Sequence, residues 1–222
     1  MLRPSRRVRA KVKVRARSSL GGRRAQADRW IGNPGIEYQF TYHNLGFLAV
    51  DRLAEDCGVQ VNNRRGRALT ATASFARKKV VLAKPETYMN LSGLAVRALA
   101  EELEIDAKRD MIVLHDELDF PLGTIRLRMR GSSAGNNGIE SIIGALGSEE
   151  FIRVRMGISP EHKPADGKKY VLTQFKKAQY ELIDEMLGRT VEAVKVILTD
   201  GPEAAMNRFN RKDDSTRDAP QP

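Results

Sequence analysis

Apolar positions recur along this chain with two different periods, and their alternation predicts the fold class. In Leu48-Ala49-Val50-Asp51-Arg52-Leu53-Ala54 they fall at three- and four-residue spacing, which predicts a helix over residues 44–57 with Gly58 as its stop. Lys79-Val80-Val81-Leu82-Ala83 and Met111-Ile112-Val113-Leu114 are short apolar runs that read as buried strands. The second delivers His115-Asp116-Glu117 at its carboxyl end, and Asp119 to Gly123 reads as a turn. Helical spacing returns from about Leu91 to Leu103 and from Ile139 to Leu146. It returns again from Gln179 to Leu198 through Leu182, Ile183, Met186, Leu187, Val191, Val194 and Ile197. Gly201-Pro202 breaks that helix, and Glu203 to Phe209 forms one more. Two segments alternate with period two. Thr124 to Arg130 sets Ile125, Leu127 and Met129 against Arg126, Arg128 and Arg130, and Phe151 to Ile158 carries Arg153 and Arg155 on one face. Residues 60–76 are basic and mixed, with room for a strand or hairpin leg.

Strands alternating with helices predict an α/β fold: a single domain with a twisted, mixed and largely parallel central sheet flanked by helices. Residues 1–29 are read as a basic leading segment, 30–210 as the folded domain and 211–222 as a polar tail.

Charge changes the picture only at one end. Of the 38 Arg and Lys, ten fall within residues 1–27, which contain no acid; the rest of the chain balances 28 bases with 28 acids. The +10 net charge is therefore a property of the leading segment, and any nucleic-acid claim for the remainder must rest on local clusters. That segment has three readings: a solvated arm that aids RNA binding, an Arg-rich organelle transit peptide, or sequence upstream of the true start. Val8, Ala10, Val12, Val14 and Ala16 alternate with cations, a weak strand signal. If residues 1–27 are unstructured, deleting them leaves thermal stability unchanged. The single cysteine, Cys57, excludes an intramolecular disulfide and fits a small buried group on the first helix. No apolar run approaches the roughly 18 residues that span a bilayer.

Candidate chemistry gathers around a glycine- and proline-punctuated stretch, Ile31-Gly32-Asn33-Pro34-Gly35-Ile36-Glu37-Tyr38. It places Asn33 in a tight turn and His43 just before a helix, so the two can converge on one cleft. Taken singly, Asn33 reads as a backbone-tolerant turn residue and His43 as a structural histidine. With Asp116 at a strand end and Asn90 and Asn137 near helix starts, the set supports another reading. A histidine held by a carboxylate is a general base for water, and side-chain amides can grip a carbonyl and stabilise an oxyanion. Gly131-Ser132-Ser133-Ala134-Gly135 competes, because it matches the nucleophile-elbow pattern with only His162 following. Its plainer reading is a turn before a helix. His115 and His162 have no metal-ligand spacing, and no phosphate-binding Gly-x-x-x-x-Gly-Lys loop is present. Arg126, Arg128, Arg130, Arg153 and Arg155 would form a phosphate-binding face if their strands pair, or a solvated sheet face otherwise. Tyr38 and Tyr88 could stack on bases or pack at a rim.

Taken in order, Gly32-Asn33-Pro34-Gly35, Tyr38, His43-Asn44-x-Gly46-Phe47, Lys84-Pro85-x-Thr87-Tyr88-Met89-Asn90-x-Ser92-Gly93, His115-Asp116-Glu117-Leu118-Asp119 and Asn137-Gly138 resemble the bacterial-type peptidyl-tRNA hydrolases. The resemblance covers about residues 31 to 210. It implies a monomeric cytoplasmic α/β hydrolase that cleaves the ester between peptide and tRNA, with no metal, cofactor or membrane. An organellar location follows instead if residues 1–29 are a transit peptide. It implies His43 as proton acceptor, Asp116 as its partner, and Asn33 as discriminator against free aminoacyl-tRNA. Tyr38, Tyr88, Met89, Asn90 and Asn137 would contact the substrate end, and Arg126, Arg128 and Arg155 the tRNA phosphates. Three positions depart from the pattern. Ala25-Gln26-Ala27-Asp28-Arg29-Trp30-Ile31 replaces an apolar strand, which bears on core stability and on the true start. Tyr42 stands for the usual Arg, and Asn136 for a common His. The alternative function is a non-hydrolytic RNA-binding relative, as plant organelle splicing factors resemble this family.

Overall fold

Two three-stranded sheets, one built from local pairings and one from long-range pairings, carry the helices. The computed structural model describes residues 40–161 and 164–211, and everything below refers to these. Strands β1 (Asn63–Arg65), β2 (Ala68–Phe75) and β3 (Lys78–Pro85) pair antiparallel in that order. Two-residue turns join them at Gly66-Arg67 and Ala76-Arg77, and all four residues have positive φ, from 48° to 60°. Such turns match the twist of the flanking strands but are built most cheaply from Asn-Gly, since a Cβ at positive φ is strained. Replacing Ala76-Arg77 with Asn-Gly is therefore expected to stabilise the protein by about 1–2 kcal/mol, read as a rise of a few degrees in melting temperature.

The second sheet has the order β4 (Ile112–Pro121), β6 (Ile152–Ser159), β5 (Ile125–Arg128). β4 runs parallel to β6 from Ile112↔Ile152 to Glu117↔Gly157, and β5 runs antiparallel to it from Ile125↔Met156 to Arg128↔Arg153. The sheet is mixed, as expected, but among the described strands only β4–β6 is parallel. β4 also outlasts its predicted end. Asp116 lies within the ladder opposite Met156, and the strand resumes at Pro121 after an irregularity. Within the described residues β3 pairs only with β2 and β4 only with β6.

Helices cover both faces. On one side α1 (Leu45–Asp56), α6 (Tyr180–Thr199) and α7 (Pro202–Phe209) bury Leu45, Leu53, Met186 and Val194 against Val80, Leu82, Ile125 and Met156. On the other, α2 (Ser92–Leu103) packs Leu99 and Leu103 on Val81. With α4 (Asn137–Leu146), it also encloses Met111 and Phe151. Two short helices, α3 (Ala107–Asp110) and α5 (Gly167–Val171), complete the described set. Their lengths are too small for helical periodicity to register in the sequence.

Helix starts and stops follow the predicted ones within a residue or two, but two apolar positions do not turn inward. Met129 is exposed because β5 ends one residue before it. Leu182 is exposed on the first turn of α6, where it leans over the Gly123 turn: a Cβ at Gly123 would lie 2.7 Å from its methyl carbon. Among the described residues no helix is long and apolar enough to cross a membrane.

Glycine sets the closest approach of α1 to the sheet. A Cβ on Gly46 would lie 2.3 Å from the carbonyl oxygen of Leu114, so only hydrogen fits where the helix meets β4. Gly93 does the same for α2 against the Ser141 carbonyl of α4.

Candidate active site

His43 sits in a single 3₁₀ turn, Tyr42–Asn44, that leads into α1. Its approach is pinned by a short antiparallel contact: Thr41 bridges Gln174, the Tyr42 amide donates to Thr173, and the Phe175 amide donates to Phe40. The Tyr42 ring is buried, stacked on Tyr170 at 4.8 Å and edge-on to Phe175, and its hydroxyl donates to Gln179 at 2.8 Å. The departure at position 42 therefore anchors the histidine turn from the core.

Asp116 reaches the same place from β4, 73 residues later in the chain. His43 Nδ1 lies 3.0 and 3.1 Å from its two carboxylate oxygens. A carboxylate only accepts, so Nδ1 carries the proton and Nε2 keeps its lone pair. Asn136 holds the same carboxylate from the other side. Its amide nitrogen donates to Asp116 Oδ1 and to the Asp116 carbonyl, each at 3.3 Å. Its oxygen accepts from the Gly138 and Ile139 amides and so caps α4. The sequence places Asn136-Asn137 before a helix near the site and marks Asn136 as a departure from the family pattern; its bond to Asp116 is what the structure adds.

Neighbouring histidine His115 is buried, with Nδ1 donating to the Asp116 carbonyl at 2.8 Å. Burial holds its pKa below 6.5 and keeps it neutral. For His43, burial also opposes the charged form, but the charge and hydrogen bond of Asp116 outweigh it and leave the pKa above 6.5. The stability that this pairing contributes is full below the unfolded value of about 6.5 and fades as pH rises through the raised folded value. Base catalysis has the opposite sense, because only the neutral ring accepts a proton. The turnover number is expected to climb with pH through an inflection above 6.5 and to level off beyond it. In Asp116→Asn the inflection should move to lower pH, and a profile from pH 5 to 9 reads both.

A cleft continuous with solvent opens beside the pair. His43, Asp116, Asn136, Gly138 and Met89 line one part, and Val80 to Ala83 of β3 with Met111 and Ile112 to Leu114 of β4 form an apolar remainder. Met89 packs into the start of α4: a Cβ on Gly138 would lie 2.6 Å from its sulfur. Asn90 and Asn137, next in sequence to Met89 and Asn136, are exposed, as is Tyr88 at 60%. Asn33, Tyr38, His162 and the stretch Ala25 to Ile31 lie outside the described residues.

The arginine face changes most. β5 and β6 do pair, with Arg126 opposite Arg155 and Arg128 opposite Arg153. Arg155, however, turns to the buried Glu117, donating to its Oε2 from Nε at 2.9 Å and Nη2 at 2.6 Å. Arg153 is buried and donates to the Ser132 and Glu149 carbonyls. Arg126 donates to the carbonyls of Ile125, Phe209 and Arg211. The protein's own oxygens thus engage three of the five, and Arg128 and Arg130 remain exposed. Ser133 lies in an eight-residue loop between β5 and α4, not on the sharp strand-to-helix elbow that a serine nucleophile requires.

A family model described as peptidyl-tRNA hydrolase matches residues 30–217. The chain belongs to that family. A peptidyl-tRNA hydrolase from Koribacter versatilis (strain Ellin345) is 60% identical over 182 residues, covering 82% of this chain and 90% of the relative. Another from Acidobacterium capsulatum is 51% identical and covers 83% and 95%. Among solved structures, a peptidyl-tRNA hydrolase from Acinetobacter baumannii superposes with a TM-score of 0.74 at 32% identity, covering 81% of this chain and 91% of that one.

Proposed function

We propose that this chain hydrolyses the ester joining peptide to tRNA, with water as the nucleophile. Neutral His43 takes a proton from water through Nε2 as the oxygen attacks the ester carbonyl. Asp116 orients the ring and stabilises the imidazolium. When the tetrahedral intermediate collapses, the ribose oxygen leaves with the proton returned from His43, giving free tRNA and a peptide carboxylate. Asn90 and Asn137 supply amide donors to the carbonyl and intermediate, Met89 and Tyr88 border the substrate end, and Asn33 and Tyr38 are assigned there by their motif positions. Arg128 is the exposed cation best placed for tRNA phosphate, with Arg126 and Arg155 bracing the sheet beneath it. The reaction needs no metal, runs in a monomer and belongs to the cytoplasm, where translation supplies the substrate.

The observation that carries this reading is the His43–Asp116 contact at 3.0 Å inside a cleft of a chain that belongs to this family. The relatives reported above are named as hydrolases, and nothing observed favours the splicing-factor alternative. Incubating the purified chain with peptidyl-tRNA should liberate tRNA, while aminoacyl-tRNA with a free amino group should survive. RNA binding without release would overturn the enzymatic reading.

A further inference from the structure

One charge pair, buried on its lysine side and partly exposed at Asp51, is not used by the reaction. Lys84 on β3 is almost fully buried, and its Nζ lies 2.5 Å from Asp51 Oδ1 on α1. Burial pushes the Asp51 carboxyl up against the pull of Lys84, and Asp51 Oδ2 has no hydrogen-bond partner among the described residues. Such a pair is poor value for stability, because desolvation consumes most of the attraction and well-packed apolar side chains do as well or better. Its benefit lies in geometry.

That geometry closes a ring around the catalytic pair. α1 touches β4 at Gly46, just after His43, where the Leu114 carbonyl admits no side chain. One contact of this kind is a pivot. Asp51, five residues further along the helix and so roughly 8 Å away, supplies a second fixed point on β3. β3 then leads from Lys84 to Met89, Met89 packs on Gly138, and the α4 cap Asn136 binds Asp116, which binds His43.

We infer that the Lys84–Asp51 pair is a positioning device for the hydrolysis proposed above, fixing the direction of α1, which continues from the His43 turn, relative to β3, which leads to Met89 and Asn90. Lys84 and Asp51 are positioning residues, since neither touches the reacting atoms.

The test separates position from stability. In Lys84→Met the turnover number should fall about tenfold or more, because displacements of the order of 1 Å are costly, while KM stays within about twofold. The double variant Asp51→Leu/Lys84→Met should melt at or above the wild-type temperature and yet keep the low turnover. Lys84→Arg should recover most of it. A double variant with wild-type stability and wild-type turnover overturns the inference, as does a loss that appears only in KM. The inference rests on the proposed activity, so a second readout is independent of it. The His43 imidazole resonance, titrated by NMR, should shift its midpoint down toward 6.5 in the double variant as the contact with Asp116 loosens. A wild-type protein that releases no tRNA, together with that shift in the double variant, refutes the activity and leaves the positioning role; an unmoved midpoint in the double variant refutes the role.

Discussion

His43→Ala should release tRNA from peptidyl-tRNA about 10³-fold more slowly than the wild type, with little change in KM or melting temperature. A positioned general base contributes roughly 10²–10⁴ to the rate, and here no second described group can stand in for it. His115 is the nearest imidazole in sequence to Asp116, but it is buried and its Nδ1 is committed to a backbone carbonyl. Asp116→Asn should fall by a comparable factor for a different reason. An amide can present a hydrogen to Nδ1, which would leave the proton on Nε2 and the lone pair facing away from water. The two losses should not multiply in the double variant, because base and orienting group act as a unit. Single-turnover kinetics on a defined peptidyl-tRNA measure each. A His43→Ala protein that retained more than about a tenth of wild-type turnover would remove the imidazole from the mechanism.

The second large effect is expected far from any reacting atom. Gly46→Ala adds one methyl group 2.3 Å from the Leu114 carbonyl oxygen, and a backbone atom on a paired strand cannot step aside. Alanine should gain about 1 kcal/mol of helix propensity, but forced separation of α1 from β4 should cost more, for a net loss of about 2–4 kcal/mol. For a domain of this size that lowers the melting temperature by roughly 5–15 °C. Because His43 lies three residues before the contact, turnover should drop even where the variant is folded. Gly188→Ala is the control. It lies in α6 with nothing within 4 Å of a new Cβ, and it should be neutral or slightly stabilising.

Long helices and short apolar strands were legible in the sequence because burial imposes a period on them. α6 shows this in Ile183, Met186, Leu187, Val191, Val194 and Ile197, all buried. β4 was cut short because His115-Asp116-Glu117 looks like a loop. Each of those polar side chains is buried with a partner: a carbonyl for His115, His43 and Asn136 for Asp116, Arg155 for Glu117. The same hidden partners bear on the two arginine readings. Alternating Arg on two strands signals a cationic face only if no acid or carbonyl lies above it. Glu117 is 38 residues from Arg155, and the Phe209 carbonyl is 83 from Arg126. The pairing of His43 with Asp116 was reached from chemistry and family resemblance, since no periodicity connects residues so far apart. Asn136 was legible as a residue before a helix but not as a holder of Asp116, because that partner lies 20 residues away in the chain.

The span between His43 and Asp116 also has a kinetic meaning. The β2–β3 hairpin closes across a two-residue turn, whereas the catalytic contact must bring together residues 73 apart and wait for β4, α1 and α4 to dock. Long-range closures come later than local ones because their entropy cost must be met before their contacts form. A molecule refolding from denaturant should therefore recover sheet signal well before it recovers turnover, and regained activity marks the completion of assembly.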